Sequence, residues 1–238
     1  MQRPIGLIGA MAEEIALFLE EMEIEATREL ADITYTTGRL NETEVVVCQS
    51  GVGKVNAAVC TQNLIREYGV EAVIFTGVAG ALDPSLDIGD IVVSTACQQH
   101  DVDATALGLP KGTIPFQETS IFKADRKWIR LAEEAAAGWT GGKVLKGKIL
   151  SGDQFIANAD AVRALRDSLG GVCVEMEGAA VAHVCHLHRI PYVVIRSMSD
   201  RADHSADINF ADFAVASARR SNGIVQEMLN RRQAKSAQ

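Results

Sequence analysis

Acidic side chains stand in this chain where acids can do chemistry. Glu13 and Glu14 follow the apolar run Ile5 to Ile8 and the short stretch Gly9-Ala10-Met11. Glu175 and Glu177 follow Val172-Cys173-Val174, and Ser199-Asp200 close the segment that begins with the run Pro191 to Arg196. Carboxyl groups brought together from separate strand ends suit proton transfer. One kept protonated by burial or by a like-charged neighbour can donate to a leaving group, while an ionised one activates water or accepts bonds from hydroxyls. Each position also has a plainer reading. Acids at a helix start are favoured by the helix dipole, by about 0.3–1 kcal/mol each, and an Asp after a strand can simply close a turn.

Other groupings of reactive residues lead elsewhere. Ser50-Gly51-Val52-Gly53-Lys54 runs from a strand into a helix, a turn that offers backbone N–H groups to an anionic or hydroxyl-bearing ligand. It is not a Walker loop, because no glycine stands five residues before Gly53 and Val55 occupies the place of the magnesium-binding Ser or Thr. No GxGxxG follows a strand either. His183, Cys185, His186 and His188 crowd one helix, but no second cluster completes a tetrahedral set, so packing is the expected role and no metal is expected. His100-Asp101-Val102-Asp103 lacks a matched partner cluster and reads as a hydrogen-bonded loop.

These residues need a frame, and the hydrophobic pattern supplies one. Gly170 to Asp200 reads as strand, helix, strand, a parallel βαβ unit with acids at both strand ends, where open parallel sheets bind ligands. Ile5 to Ile8 is a strand, followed by a helix from Ala12 to about Met22. Ile33 to Leu40 and Thr43 to Gln49 form a hairpin about Asn41-Glu42, and Val55 to Tyr68 is a helix. Ala72 to Thr76 is a buried strand ending in the turn Gly77-Val78-Ala79-Gly80, whose glycines allow the backbone to approach a ligand. Asp90 to Ser94 is a strand and Gln98 to Phe122 a long irregular segment. Ala124 to Ala137 is a helix, Val144 to Leu150 a strand, and Asn158 caps a helix ending near Leu169. The last helix runs from Phe210 to about Arg232, with residues 231–238 a frayed tail.

Composition narrows the class. The 238 residues are 47% hydrophobic and 23% charged, enough for one α/β domain spanning 1–238 with a substantial core. With 23 basic against 31 acidic residues the net charge is -8, which argues against nucleic acid as a partner. The first apolar run is cut short by Glu13 and Glu14, and no later run reaches bilayer length, so no membrane association is expected. Five cysteines without CxxC spacing fit buried thiols in a reducing, cytoplasmic setting.

Six stretches, GLIGAMAEE, SGVGKVNAA, FTGVAGAL, SGDQFI, VEMEGAAVAHVC and RSMSD, taken in this order and spacing, resemble the 5′-methylthioadenosine/S-adenosylhomocysteine nucleosidases of the purine nucleoside phosphorylase and nucleosidase superfamily. The resemblance covers about residues 4 to 230. It implies a three-layer α/β/α sandwich whose central mixed sheet is partly barrel-like, a homodimer, adenine nucleosides as small-molecule partners, and no cofactor. The implied reaction is hydrolysis of the N-glycosidic bond to adenine and a 5′-substituted ribose, in methionine salvage and the activated methyl cycle.

Residue by residue, the resemblance makes Asp200 the acid at purine N7, oriented by Ser199, and Glu14 the residue that activates water. Glu177 accepts bonds from the ribose hydroxyls, with Glu175 in support and Met176 beside the sugar. Phe155 stacks on adenine while the backbone of Ile156 reads its edge. The turn carrying Val78, Ala79 and Gly80 borders the ligand. Met11, Val52, Phe210 and, from the partner subunit, Leu107 and Pro115 surround the 5′ group. Val78 stands where some relatives have serine, and Leu107 where some have an aromatic residue, so the 5′ preference is open. A futalosine-type nucleosidase shares this scaffold. A phosphorylase would need cations where Glu13 and Glu14 stand, and a non-catalytic binder would not need Glu14, Glu177 and Asp200 together.

Overall fold

The computed structural model describes residues 3–200 and 206–236, without the side chains of 206–212 and 236. Alternation along the strands decides the layers. In β4 (Thr43–Gln49), Val45 and Val47 face one way and Val46 and Cys48 the other. The strands β5 (Ala72–Ala81) and β10 (Tyr192–Asp200) divide likewise, Ile74 from Val73 and Phe75, and Val193 and Ile195 from Tyr192 and Val194. One face packs against α2 (Lys54–Glu67) and α5 (Gly178–His188) through Ala57, Cys60, Leu64, Val181 and Cys185. The opposite face packs against α1 (Ala12–Glu21), α3 (Arg126–Ala136) and α6 (Ala206–Ser236) through Ile15, Phe18, Leu131, Ile224 and Met228. Apolar side chains on both faces of each strand require helices on both sides, and a three-layer α/β/α sandwich results.

The sheet is mixed and half of it closes on itself. β1 (Ile5–Gly9) lies between β4 and β5, parallel to both, and the antiparallel strands β3 (Ile33–Leu40) and β2 (Glu23–Leu30) extend the sheet beyond β4. On the other side β5 pairs parallel with β10, and β10 pairs antiparallel with β6 (Ile91–Gln99). β6 runs parallel to β8 (Val144–Ser151), which runs parallel to β9 (Cys173–Glu175). β9 returns antiparallel to β5 at Gly80 and Ala81, completing a five-stranded ring. A short strand, β7 (Ile121–Lys123), pairs with β6 after an irregular segment holding a 3-10 turn at Thr105–Leu107. α4 (Ala159–Leu169), capped by Asn158, packs Leu165 and Leu169 on Leu82, Leu150 and Val174.

Several expectations change. β9 and β10 are not a neighbouring parallel pair: β9 runs against β5 and β10 runs with it, so the unit at 170–200 spans the ring instead of forming a simple crossover. Its acids still meet, because Gly80 is paired with Val174 of β9 and with Asp200 of β10. Residues 77–80 are strand and not turn, since β5 keeps its pairing with β10 throughout them. Gly77 is needed for a different reason. Its φ is +157°, and a side chain there would run into the carboxylate of Glu14 and the guanidinium of Arg196. β2 is an added, exposed strand, EIEATREL, whose alternation stops after Ala26 at Thr27, Arg28 and Glu29, so its period-2 signal is weak in the sequence. The helix at the carboxyl end does not fray at 231: it continues to Ser236, with Arg232 paired to Glu71 and Lys235 to Glu134 (2.5 Å).

Candidate active site

At the mouth of the ring, where β5, β9 and β10 meet, lies a cavity of about 280 Å3. Met11 and Glu14 reach it from the turn after β1 and the start of α1, and Val52 from the glycine-rich turn before α2. Val78, Ala79 and Gly80 line it from β5, and Phe155 and Ile156 from the segment after β8. Glu175, Met176 and Glu177 come from the junction of β9 and α5, and Ser199 and Asp200 from the end of β10. Ala10, Gln154 and Val174 complete the lining, beyond the expected set. Leu107, 70% exposed, and Pro115 lie outside the cavity of this single chain. The side chain of Phe210 falls outside the described residues.

Glu14 is held by backbone alone. Its Oε2 accepts N–H bonds from Ala10 (2.6 Å) and Met11 (3.0 Å), and its Oε1 accepts one from Val78 (2.9 Å). An ionised carboxylate oxygen has two lone pairs, so Oε1 keeps acceptor capacity toward the cavity. Burial pushes its carboxyl above the usual range, while the charge of Arg196 and the three N–H groups pull the other way. Glu13, one residue earlier, points outward and is exposed. Helix-start electrostatics covers Glu13, whereas Glu14 does more than cap its own helix: besides taking the N–H of the N-cap Met11, it reaches across to Val78 of β5.

A second set of acids surrounds one cation. Arg196, 1% exposed, donates from Nη2 to Glu175 Oε2 (2.6 Å) and lies 3.9 Å over the Phe75 ring. Burial works against its charge, but Glu175, Glu14 and Glu177 outweigh it and raise its pKa. Glu175 also accepts from Gly178 N–H (2.8 Å) and from the Ser151 hydroxyl, whose oxygen accepts from Ala179 N–H (2.7 Å). Glu177 accepts from Gly53 N–H (2.8 Å), which links α5 to the glycine-rich turn. Burial, and then the charge of Glu175, push Glu177 up to about 8. Three buried carboxyl groups thus surround a single guanidinium, which bonds directly to Glu175.

The remainder of the cavity joins the end of β10 to an irregular segment. The Ser199 hydroxyl donates to Asp200 Oδ2 (2.8 Å), fixing a carboxyl that is 3% exposed. Phe155, 51% exposed, belongs to a segment with neither helix nor strand pairing, between Ser151 and the cap Asn158. A half-exposed aromatic ring at a cavity wall offers apolar area of the kind on which flat molecules can stack. The histidines are occupied otherwise: His183 stacks on Phe122 at 4.4 Å, and His188 bonds Gln62 (2.6 Å). Among the described residues no group of three His, Cys, Asp or Glu side chains converges as a metal site would.

Residues 4–230 match the sequence model of the phosphorylase superfamily. The chain belongs to that superfamily. It is 39% identical over 226 residues to the 5′-methylthioadenosine/S-adenosylhomocysteine nucleosidase of Bacillus thuringiensis, covering 94% of this chain and 97% of the relative, and is a member of the family such nucleosidases form. The nucleosidase of that name from Neisseria meningitidis, solved with methylthio-immucillin-A, superposes with a TM-score of 0.91 at 39% identity, over 96% of this chain and 99% of the other. Futalosine hydrolase of Helicobacter pylori also superposes at 0.91, with 35% identity, over 96% and 98%.

Within this superfamily member, the sequence assigns no role to Arg196 or Ser151, although they open the stretches RSMSD and SGDQFI. An arginine in an apolar strand reads as an edge or an end, and only the alternation of β10, which turns Arg196 to the same face as Tyr192 and Val194, points it inward. Ser151, ending β8, carried no signal of its own.

Proposed function

We propose that the chain hydrolyses the N-glycosidic bond of 5′-methylthioadenosine, S-adenosylhomocysteine and 5′-deoxyadenosine, releasing adenine and the 5′-substituted ribose. One observation carries this reading: Glu14, Glu177 and Asp200, from three separate elements, line one cavity. Asp200, oriented by Ser199, gives a proton to purine N7, so the base leaves neutral as the bond to the anomeric carbon breaks. Glu14, through Oε1, takes a proton from the water that adds to that carbon. One proton is given and one taken, and the net reactants are nucleoside and water. The sugar passes through an oxocarbenium-like state, and Glu14, held by three backbone N–H groups, is oriented beforehand to meet it.

Glu177, with Oε2 unused by Gly53, accepts from the ribose hydroxyls, and Met176 packs beside them; Glu175 and Arg196 hold that corner in place. Phe155 stacks on adenine and the Ile156 backbone reads its edge. Val78, Ala79 and Gly80 form the strand floor. Met11, Val52 and Phe210 surround the 5′ group, with Leu107 and Pro115 of the partner subunit closing it in a homodimer. Val52, Val55, Leu107 and Phe116 leave large apolar side chains exposed on one chain, which supports the dimer. Residues 1–238 are one domain working in the cytoplasm, a setting that suits five buried, unpaired cysteines.

The likeness to a futalosine hydrolase favours one second reading, cleavage of a nucleoside with a bulky aromatic 5′ group. Base release from methylthioadenosine, S-adenosylhomocysteine, aminodeoxyfutalosine and inosine, with and without phosphate, tests both. Phosphate-independent adenine release from the two thio-nucleosides is expected. A strong preference for aminodeoxyfutalosine selects the second reading, and release only with phosphate overturns hydrolysis altogether.

A further inference from the structure

Lys54, the lysine of the glycine-rich turn, has no part in the chemistry above, yet it closes a circuit among three loops. Its backbone N–H donates to Asp153 Oδ1 (2.8 Å), the Asp153 N–H donates to Asp101 Oδ2 (3.0 Å), and Lys54 Nζ donates to Asp101 Oδ1 (2.6 Å). Nζ also donates to Gln99 Oε1 (3.0 Å) at the end of β6. The side chains of Lys54 and Asp101 are only 18% and 16% exposed, so the ion pair is largely shielded from water. Asp101 belongs to the barrel, because the neighbouring His100 N–H donates to Ser151 O (2.9 Å) across the ends of β6 and β8. The other two members are loops that carry cavity residues. Gly53, beside Lys54, donates to Glu177, and Asp153 stands two residues before Phe155.

We propose that the ring of Lys54, Asp101 and Asp153 is a latch, with Lys54 a positioning residue that fixes the distance between the glycine-rich turn and the Phe155 wall and thereby the fit of the nucleoside base. The lysine that a phosphate-binding loop would turn toward its ligand is here turned away from the cavity, onto an aspartate. Without the charge on Nζ, Asp101 keeps a part-buried carboxylate with only the Asp153 N–H and no cation, and the two loops lose their common anchor. The ligand assigned to this wall rests on the nucleosidase reading; the latch itself rests on the bonds alone.

The test uses the full chain and three variants, Lys54→Met, Lys54→Arg and Asp101→Asn. Hydrogen exchange read by mass spectrometry should rise about tenfold at amides 153–156 in Lys54→Met and Asp101→Asn, stay put in the strands of the ring, and return toward wild type in Lys54→Arg. KM for methylthioadenosine should rise about tenfold in Lys54→Met while kcat changes less than about threefold, the split expected when binding geometry and not proton transfer is lost. Unchanged exchange at 153–156 in both Lys54→Met and Asp101→Asn overturns the latch whatever the activity. An active wild type with unaltered KM in those variants overturns its role in binding. A wild type inactive on every nucleoside sinks the functional reading instead, and the exchange data still decide the latch.

Discussion

The two halves of the cavity are built in opposite ways. Around Glu14, Glu175 and Glu177 every carboxylate takes hydrogen bonds from backbone N–H groups of strand ends and helix starts, and Arg196 is locked over Phe75. Across from them, residues 152–156 form no regular element, and Phe155 is half exposed. Charge is costly to bury and works only if dipoles are fixed beforehand, so the acids need the rigidity of the ring. Stacking needs area and little direction, and an irregular segment can provide it.

If the rigid half carries the chemistry, the largest effects lie there. Glu14→Gln and Asp200→Asn should each lower kcat by about 10²–10⁴-fold while leaving Tm within a few degrees of wild type; near-normal turnover in either would remove the role given to that residue. Arg196→Met keeps the side-chain volume but strands Glu175 in the interior. Loss of one partner of a buried pair costs about 3–5 kcal/mol, so thermal unfolding should begin roughly 10 °C earlier. An unchanged melting curve would mean that the cluster is not electrostatically coupled. On the irregular side, Phe155→Ala should raise KM about tenfold with little change in Tm, and a large loss of stability there would erase the contrast between the halves.

A further effect concerns pH. Folding raises the Glu177 carboxyl from its ordinary value to about 8, so between those limits the folded chain binds more protons than the unfolded one. Stability therefore falls as pH rises through that window and is highest at its acid end. Melting curves from pH 5 to 8.5 should show a steeper decline for wild type than for Glu177→Gln. Parallel declines would show that Glu177 titrates normally.

Elements bounded by their own turn signals were legible in the sequence. The hairpin at 33–49 matches its observed bounds, because the turn at Asn41-Glu42 separates two β-branched runs. Ring closure was not legible from periodicity, since it depends on a two-residue pairing of β9 with β5 between segments far apart in the chain. The acids were visible as types, but their convergence was visible only through the ordered set of stretches. Glu14 shows why. Nothing local separates it from Glu13, and the N–H that makes it a buried site residue comes from Val78, sixty-four positions away. The role of Gly77 was half legible: close approach was the right physics, but what approaches is the protein's own carboxylate.

The open border of the sheet has a consequence for how copies of this chain meet. β2 presents Glu23, Glu25 and Glu29 along an exposed edge. A second copy adding the same strand parallel and in register would set each glutamate against its counterpart at about 4.8 Å spacing. Like charges on β2 thus disfavour in-register stacking of copies at the end of the sheet farthest from the ring.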